Sequence, residues 1–203
     1  GKSRMAKITA ASSTGFLTRF NATLRRFRGD REGVGAVEFA LIAPVLIVLY
    51  IGSLEVSVAM SVNKKLARAS SSVADLVTQK DSVNKAYLAN MVDVAESVMA
   101  PFKSSGLKLK ITAISIDASK KATVVWSWKD DGTKAYATGS QTTVPSQLNI
   151  ASTFLVRTEL NLNYDLFLFS SDDEGSQMRH LNMGKTYHLR PRVASTVSCS
   201  DCG

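Results

Sequence analysis

Few residues in this chain could do chemistry, and they fall in separate places. Cys199-Ser200-Asp201-Cys202 is a C-x-x-C, which beside a βαβ pattern in a cytosolic chain would suggest thioredoxin-like redox chemistry. Here no helix comes after it. Four fully extended residues would hold the two Cα atoms about 10 Å apart, beyond the ~7 Å a disulfide permits. The pair can close only by turning at Ser200-Asp201, both good turn residues. The spacing suits a small structural clip, with reduced or intermolecular thiols as the alternatives. His180 and His188 are isolated from one another, one in a loop-like stretch and one in a strand pattern. Asp172-Asp173-Glu174 lacks the spaced ligands of a calcium loop and reads as a solvated surface turn. Two cysteines do not make a closed zinc site. No G-x-S-x-G, phosphate-binding glycine loop or H-E-x-x-H occurs. The expectation is a chain that is not an enzyme, with no metal, no cofactor and no small-molecule substrate.

The remaining chemistry is electrostatic. Glu38 stands inside a run of apolar residues and Glu55 closes it, with no charge from Phe39 to Leu54. Val34 to Leu54 would make about 31 Å of helix at 1.5 Å per residue, which matches a hydrocarbon layer of ~30 Å. A carboxylate at the centre of such a helix costs about 2.5–3.5 kcal/mol on insertion scales. Near the helix start the cost is smaller but still unfavourable. Glu38 either snorkels to the interface or has a positive partner waiting for it.

Charge placement orients the span. Lys and Arg total 25 against 17 Asp and Glu, a net charge of +8. Most of the surplus precedes the apolar run: Lys2, Arg4, Lys7, Arg19, Arg25, Arg26, Arg28 and Arg31 face only Asp30 and Glu32. There is no nucleic-acid motif and little aromatic interleaving, so nucleic acid is not an expected partner. The positive-inside rule instead keeps the N-terminus cytoplasmic and exports the C-terminal region, although Lys64, Lys65 and Arg68 flank the far side. A cleaved secretory signal fits poorly, because the run is too long and no A-x-A-like site comes after it. Pro44 removes one backbone bond early in the span, which membrane helices tolerate.

The helix pattern continues past the apolar run. Val58, Val62, Leu66, Ala69, Val73 and Leu76 recur at three- and four-residue steps, and the helix should end near Thr78. A second helix is expected after Asp81 or Ser82 as cap, with Tyr87, Leu88, Met91, Val92, Ala95, Val98 and Met99 on one face and Pro101 ending it. The period then changes to two. Leu107, Leu109, Ile111 and Ala113 alternate with polar residues and Ile114, and Thr123–Trp128 is β-branched and aromatic before the turn signal Asp130-Asp131-Gly132-Thr133. Trp126 and Trp128 share a face and read as core or subunit contact. Thr153 to Phe169 alternates again, Ser170 to Gly175 is a polar loop, and Thr186 to Ser198 is a last strand that Pro191 confines to an edge or bulge.

Arg28-Gly29-Asp30-Arg31-Glu32-Gly33, Ala36-Val37-Glu38-Phe39-Ala40-Leu41, Pro44, and Gly52 followed by Glu55 resemble the N-terminal signature of the TadE-like family, pilin-like proteins of the tight-adherence (Flp type IV) pilus machinery. The resemblance covers about residues 27–77. It implies recognition by a prepilin peptidase that cuts after a glycine, with glutamate fifth and an aromatic sixth in the mature chain. Cutting after Gly33 makes Val34 first, Glu38 fifth and Phe39 sixth. It also implies that the freed Val34 ammonium is the positive partner for Glu38, within one subunit or between neighbours.

The expected organisation is therefore a basic cytoplasmic leader over 1–33, a transmembrane helix with an amphipathic extension over 34–78, and a periplasmic α+β domain over 79–203. The fold class is α+β and pilin-like: a long N-terminal membrane helix continues into an exported domain with a second helix and an antiparallel sheet. The expected role is a minor pseudopilin or assembly component of the pilus in the bacterial inner membrane, with lipid, the peptidase and other pilins as partners. The alternative is an uncleaved bitopic scaffold or adhesin-like protein of the same machinery.

Overall fold

The computed structural model describes residues 33–166 and 180–202. The basic leader, the Asp172-Asp173-Glu174 loop and the distal end of the strand expected to reach Phe169 lie outside the described residues. Two compact units divide between Ile51 and Gly52. Among the described residues of the first unit there is only helix. The second unit is an α+β domain.

Helix α1 spans Val34–Thr78 with Pro44 inside it, ending where the periodicity places it. After it come a two-residue strand β1 (Ser82–Val83), helix α2 (Lys85–Met99), and strands β2 (Lys108–Ile116), β3 (Ala122–Lys129), β4 (Thr153–Asp165), β5 (His180–Leu189) and β6 (Ser198–Cys199). The four long strands form one antiparallel sheet in the order β3-β2-β4-β5. The core lies between one face of this sheet and the helices. Val62, Leu66, Ala69, Val73 and Val77 of α1, with Leu88, Met91, Ala95 and Met99 of α2, meet Leu109, Ile111, Ala113, Trp126, Trp128, Val156 and Leu160. Both tryptophans are core, and the Trp126 indole N–H donates to Val197 O at 2.7 Å. At the centre of the interface Ser70 and Thr158 are completely buried and bond to one another's carbonyls, Ser70 Oγ to Thr158 O at 3.4 Å and Thr158 Oγ1 to Ser70 O at 3.1 Å.

Four details differ from the sequence expectation. The second helix is capped by Asn84, whose extended backbone lets Oδ1 accept from Tyr87 N at 2.8 Å. Asp81 and Ser82 do not cap it, because Ser82–Val83 is drawn into a parallel pair with Ser198–Cys199. Ile114 does not lie on an open face: with Ile116, Ala122 and Leu155 it forms a second small cluster, covered by Val144 and Leu148. A bulge between Ala113 and Ile114 shifts the register with β3 there. The last long strand occupies His180–Leu189 rather than Thr186–Ser198, and stops before Pro191, which has no N–H for a ladder. His180 thus opens a strand instead of lying in a loop. The turn after β3 is as expected, with Gly132 at φ +78° and its N–H bonded to Lys129 O at 2.8 Å.

The face of the sheet away from the helices carries a polar group. Tyr136 donates to Glu159 at 2.9 Å, Arg157 Nη1 donates to Thr142 Oγ1 at 3.0 Å, and the Arg157 guanidinium stacks 4.9 Å from the Tyr136 ring centre. His188 is in register with Arg157. Burial, and then the Arg157 charge, hold the His188 pKa below its ordinary value. Since the folded state resists the proton that the unfolded chain accepts, stability should fall as pH drops below about 6.5. Thermal melts between pH 7.5 and 5.5 should show this loss, and His188→Gln should flatten it; an unchanged pH dependence in that variant would assign the loss elsewhere.

Candidate functional site

Exposed apolar surface is concentrated on one element. Fifteen of the twenty large apolar side chains exposed among the described residues lie between Val34 and Met60 of α1, including Phe39 at 68%. The most apolar window of this helix has none of its residues buried, and the helix is long and apolar enough to cross a membrane. Burying one such side chain is worth about 1.5–3 kcal/mol, so this surface in water would cost on the order of tens of kcal/mol. It requires a bilayer or an apolar partner.

Within that surface the site residues are placed by helical geometry. Val34 is the first helical residue and Glu38 stands four residues on, so the two share a face. No acidic residue occupies the first turn, so within α1 Glu38 is the carboxylate nearest the positive end of the helix dipole. Phe39 and Glu38 are both exposed. Pro44 interrupts neither the helix nor its exposure; with Val45, Val48 and Leu49 it lines a shallow apolar groove. Gly52 and Glu55 are half-buried, and Glu55 has an interaction partner. A Cβ added at Gly33 would meet nothing within 4 Å. Among the described residues, packing gives no reason for glycine at that position.

Residues 33–75 match the TadE-like protein family. No curated protein and no solved structure matches the chain. The TadE-like segment begins at Gly33 and takes in both the exposed apolar part of α1 and most of the part whose face is buried under the sheet. Together with the apolar helix, the match fits a membrane protein related to the tight-adherence pilus. The other sequence candidates lie in the folded domain. Cys199 and Cys202 are joined by a disulfide, their Cα atoms 5.5 Å apart. Asp201 Oδ1 accepts from Lys85 N at 2.8 Å, so this clip caps the start of α2. His188 serves the polar face described above.

Sequence reasoning missed the contacts that fasten the TadE-like helix to its domain. Lys65 Nζ donates to Ala100 O at 2.9 Å, tying α1 to the end of α2. Ser70 sits on the buried face beside Ala69 and Ala74. A small hydroxyl among alanines on an otherwise apolar stripe was the available signal, because such residues let a helix approach a sheet closely.

The division of α1 gives a direct test. Leu66→Ala should lower domain stability by about 2–5 kcal/mol, whereas Leu46→Ala should leave it within about 0.5 kcal/mol. Denaturant melts of the full chain in detergent, followed by tryptophan fluorescence from Trp126 and Trp128, would separate the two. Equal losses would mean that the exposed part also packs into the domain.

Proposed function

We propose that this chain is a single-pass protein of the bacterial inner membrane that acts as a minor pseudopilin or assembly component of a tight-adherence (Flp type IV) pilus. The observation that carries the reading is the coincidence of the TadE-like match with a helix whose apolar surface has no cover of its own. In this reading the basic leader remains cytoplasmic and residues 79–203 are periplasmic. A prepilin peptidase cuts between Gly33 and Val34. The open space around Gly33 supports this assignment, because the glycine then serves an enzyme that must approach the backbone closely.

Cleavage frees the Val34 ammonium one helical turn from Glu38. In lipid or in a helix bundle each of these charges is expensive alone. Their pairing, within a subunit or between neighbours, offsets both costs and sets the depth and register of each incoming helix. Phe39 adjoins the pair as a recognition residue, and Pro44, Gly52 and Glu55 shape the helix surface offered to lipid and to other pilins.

The mature N-terminus of membrane-purified protein tests processing. Mass spectrometry should find Val34 first in wild type and the uncut chain in Gly33→Leu, with domain stability unchanged. Uncut wild-type protein in functional pili would shift the role to an uncleaved bitopic scaffold. Glu38→Gln tests the pairing. It should insert and be cut normally yet fall at least about tenfold in sheared pili relative to the membrane pool, the equivalent of about 1.4 kcal/mol. Normal incorporation would reduce Glu38 to a snorkelling interfacial charge.

A further inference from the structure

We infer that the segment joining β3 to β4 is an acid-released strap over the sheet face turned away from the helices, with His188 as its trigger. Tyr136 fastens the middle of this strap to three strands. Its backbone N–H donates to Ser127 Oγ of β3 at 2.8 Å, and Ser127 Oγ donates to Tyr136 O at 2.7 Å. Its phenol donates to Glu159 Oε2 of β4 at 2.9 Å. Its ring lies 4.9 Å from the Arg157 guanidinium and 5.6 Å from Lys110 Nζ of β2. Further along the strap, Thr142 Oγ1 accepts from Arg157 Nη1 at 3.0 Å. Backbone bonds hold the strap to the β3 edge, from Gly139 N to Val124 O at 2.7 Å, Val124 N to Ser140 O at 2.9 Å and Thr142 N to Ala122 O at 3.1 Å. Beyond them Val144 and Leu148 cover the Ile114, Ile116, Ala122 and Leu155 cluster.

The two β4 side chains that hold the strap, Arg157 and Glu159, are also the charges that act on His188. Thr112, Arg157 and His188 are register partners across β2, β4 and β5, so their side chains share one face. Arg157 is only 7% exposed. Arg157 Nε and His188 Nε2 are buried atoms without a hydrogen-bond partner among the described residues, and Nε lies 3.6 Å from Glu159 Oε2. Of the other charges on this face, Lys108 and Lys129 pair with Asp130 and Asp131, and Lys110 lies over Tyr136. Lys185 and Arg190 flank His188 on its own chain segment. A proton on His188 therefore places a second cation beside Arg157 at an atom shielded from water, which is costly without a counter-charge. The carboxylate that can answer it is Glu159, the acceptor of the Tyr136 phenol. Protonation thus works against both fastenings: it repels Arg157 from beneath Tyr136 and Thr142, and it draws Glu159 away from the phenol. With the strap closed, burial and then the Arg157 charge hold the His188 pKa below its ordinary value. With the strap open the imidazole is solvated and takes its proton near pH 6.5. The open state binds the proton more readily, so acid shifts the balance toward it.

Hydrogen–deuterium exchange of the full chain in detergent at pH 7.5 and 5.5 tests the strap, with each amide's rate taken relative to its unstructured rate at that pH. The amides of residues 136–142 should be less protected than those of β2 and β4 at both values, because the strap opens without the domain unfolding. Their protection should fall several-fold on acidification, with about tenfold as the limit for one proton of ordinary pKa about 6.5. His188→Gln should abolish that fall, and Tyr136→Phe should lower the protection of the strap already at pH 7.5. Strap amides as well protected as those of β2 and β4 would show that the segment opens only with the whole domain and would overturn the inference. So would an undiminished acid effect in His188→Gln, or strap protection unchanged in Tyr136→Phe.

Discussion

Everything in the domain depends on one face of α1 being pressed onto the middle of the sheet. Val62, Leu66, Ala69, Val73 and Val77 supply the apolar area, each large side chain worth about 1.5–3 kcal/mol when buried. The Ser70–Thr158 hydrogen bonds set the register, since a slide by one residue would leave two buried hydroxyls and two carbonyls unpaired. The same helix offers its preceding residues to the surroundings as uncovered apolar surface. A single regular element therefore holds both the core and the uncovered apolar surface. Small residues at Ala69, Ser70 and Ala74 serve the first task, and the charge-free run from Phe39 to Leu54 serves the second.

The C-terminal residues secure the other end of that helix. Arg192 pairs with Asp75 at 3.0 Å and its N–H bonds Thr78 O. Ser198 N bonds Asp81 O, Ser200 N bonds Val83 O, and Asp201 caps α2. Val197 and Cys202 are themselves buried in the main cluster. The disulfide closes a turn that presents Asp201 to Lys85 N and β6 to β1. The clip thus braces the junction between the helices.

The legibility of each element in the sequence tracks the length of its pattern. The end of α1, the existence of α2 and the alternating face of β4 are legible because each repeats its period several times. The β1–β6 pair is not, since two-residue strands carry no period and a parallel pairing across the whole domain leaves no local mark. Asn84 is hidden as a cap because Asp81 and Ser82 offer equally good side chains. Ile114 escapes the alternation because its cover, Val144 and Leu148, belongs to a segment without regular pattern. The start of β5 is obscured because an edge strand with exposed Leu181, Asn182, Thr186 and Tyr187 looks polar. The candidate site residues rest on type and spacing alone, and the open space around Gly33 and the Lys65–Ala100 tie require coordinates.

The central claim is that the exposed part of α1 lies in a bilayer with the domain on its outer side. Single cysteines at Leu46 and Ala118 test it most directly, because Cys199 and Cys202 are bonded to one another. A membrane-impermeant maleimide is added to cells with only the outer membrane opened. Leu46→Cys should stay unlabelled until detergent is added, and Ala118→Cys, on an exposed turn, should label at once. Labelling at 118 only after the inner membrane is lysed, or ready labelling at 46 in intact membranes, would contradict the account.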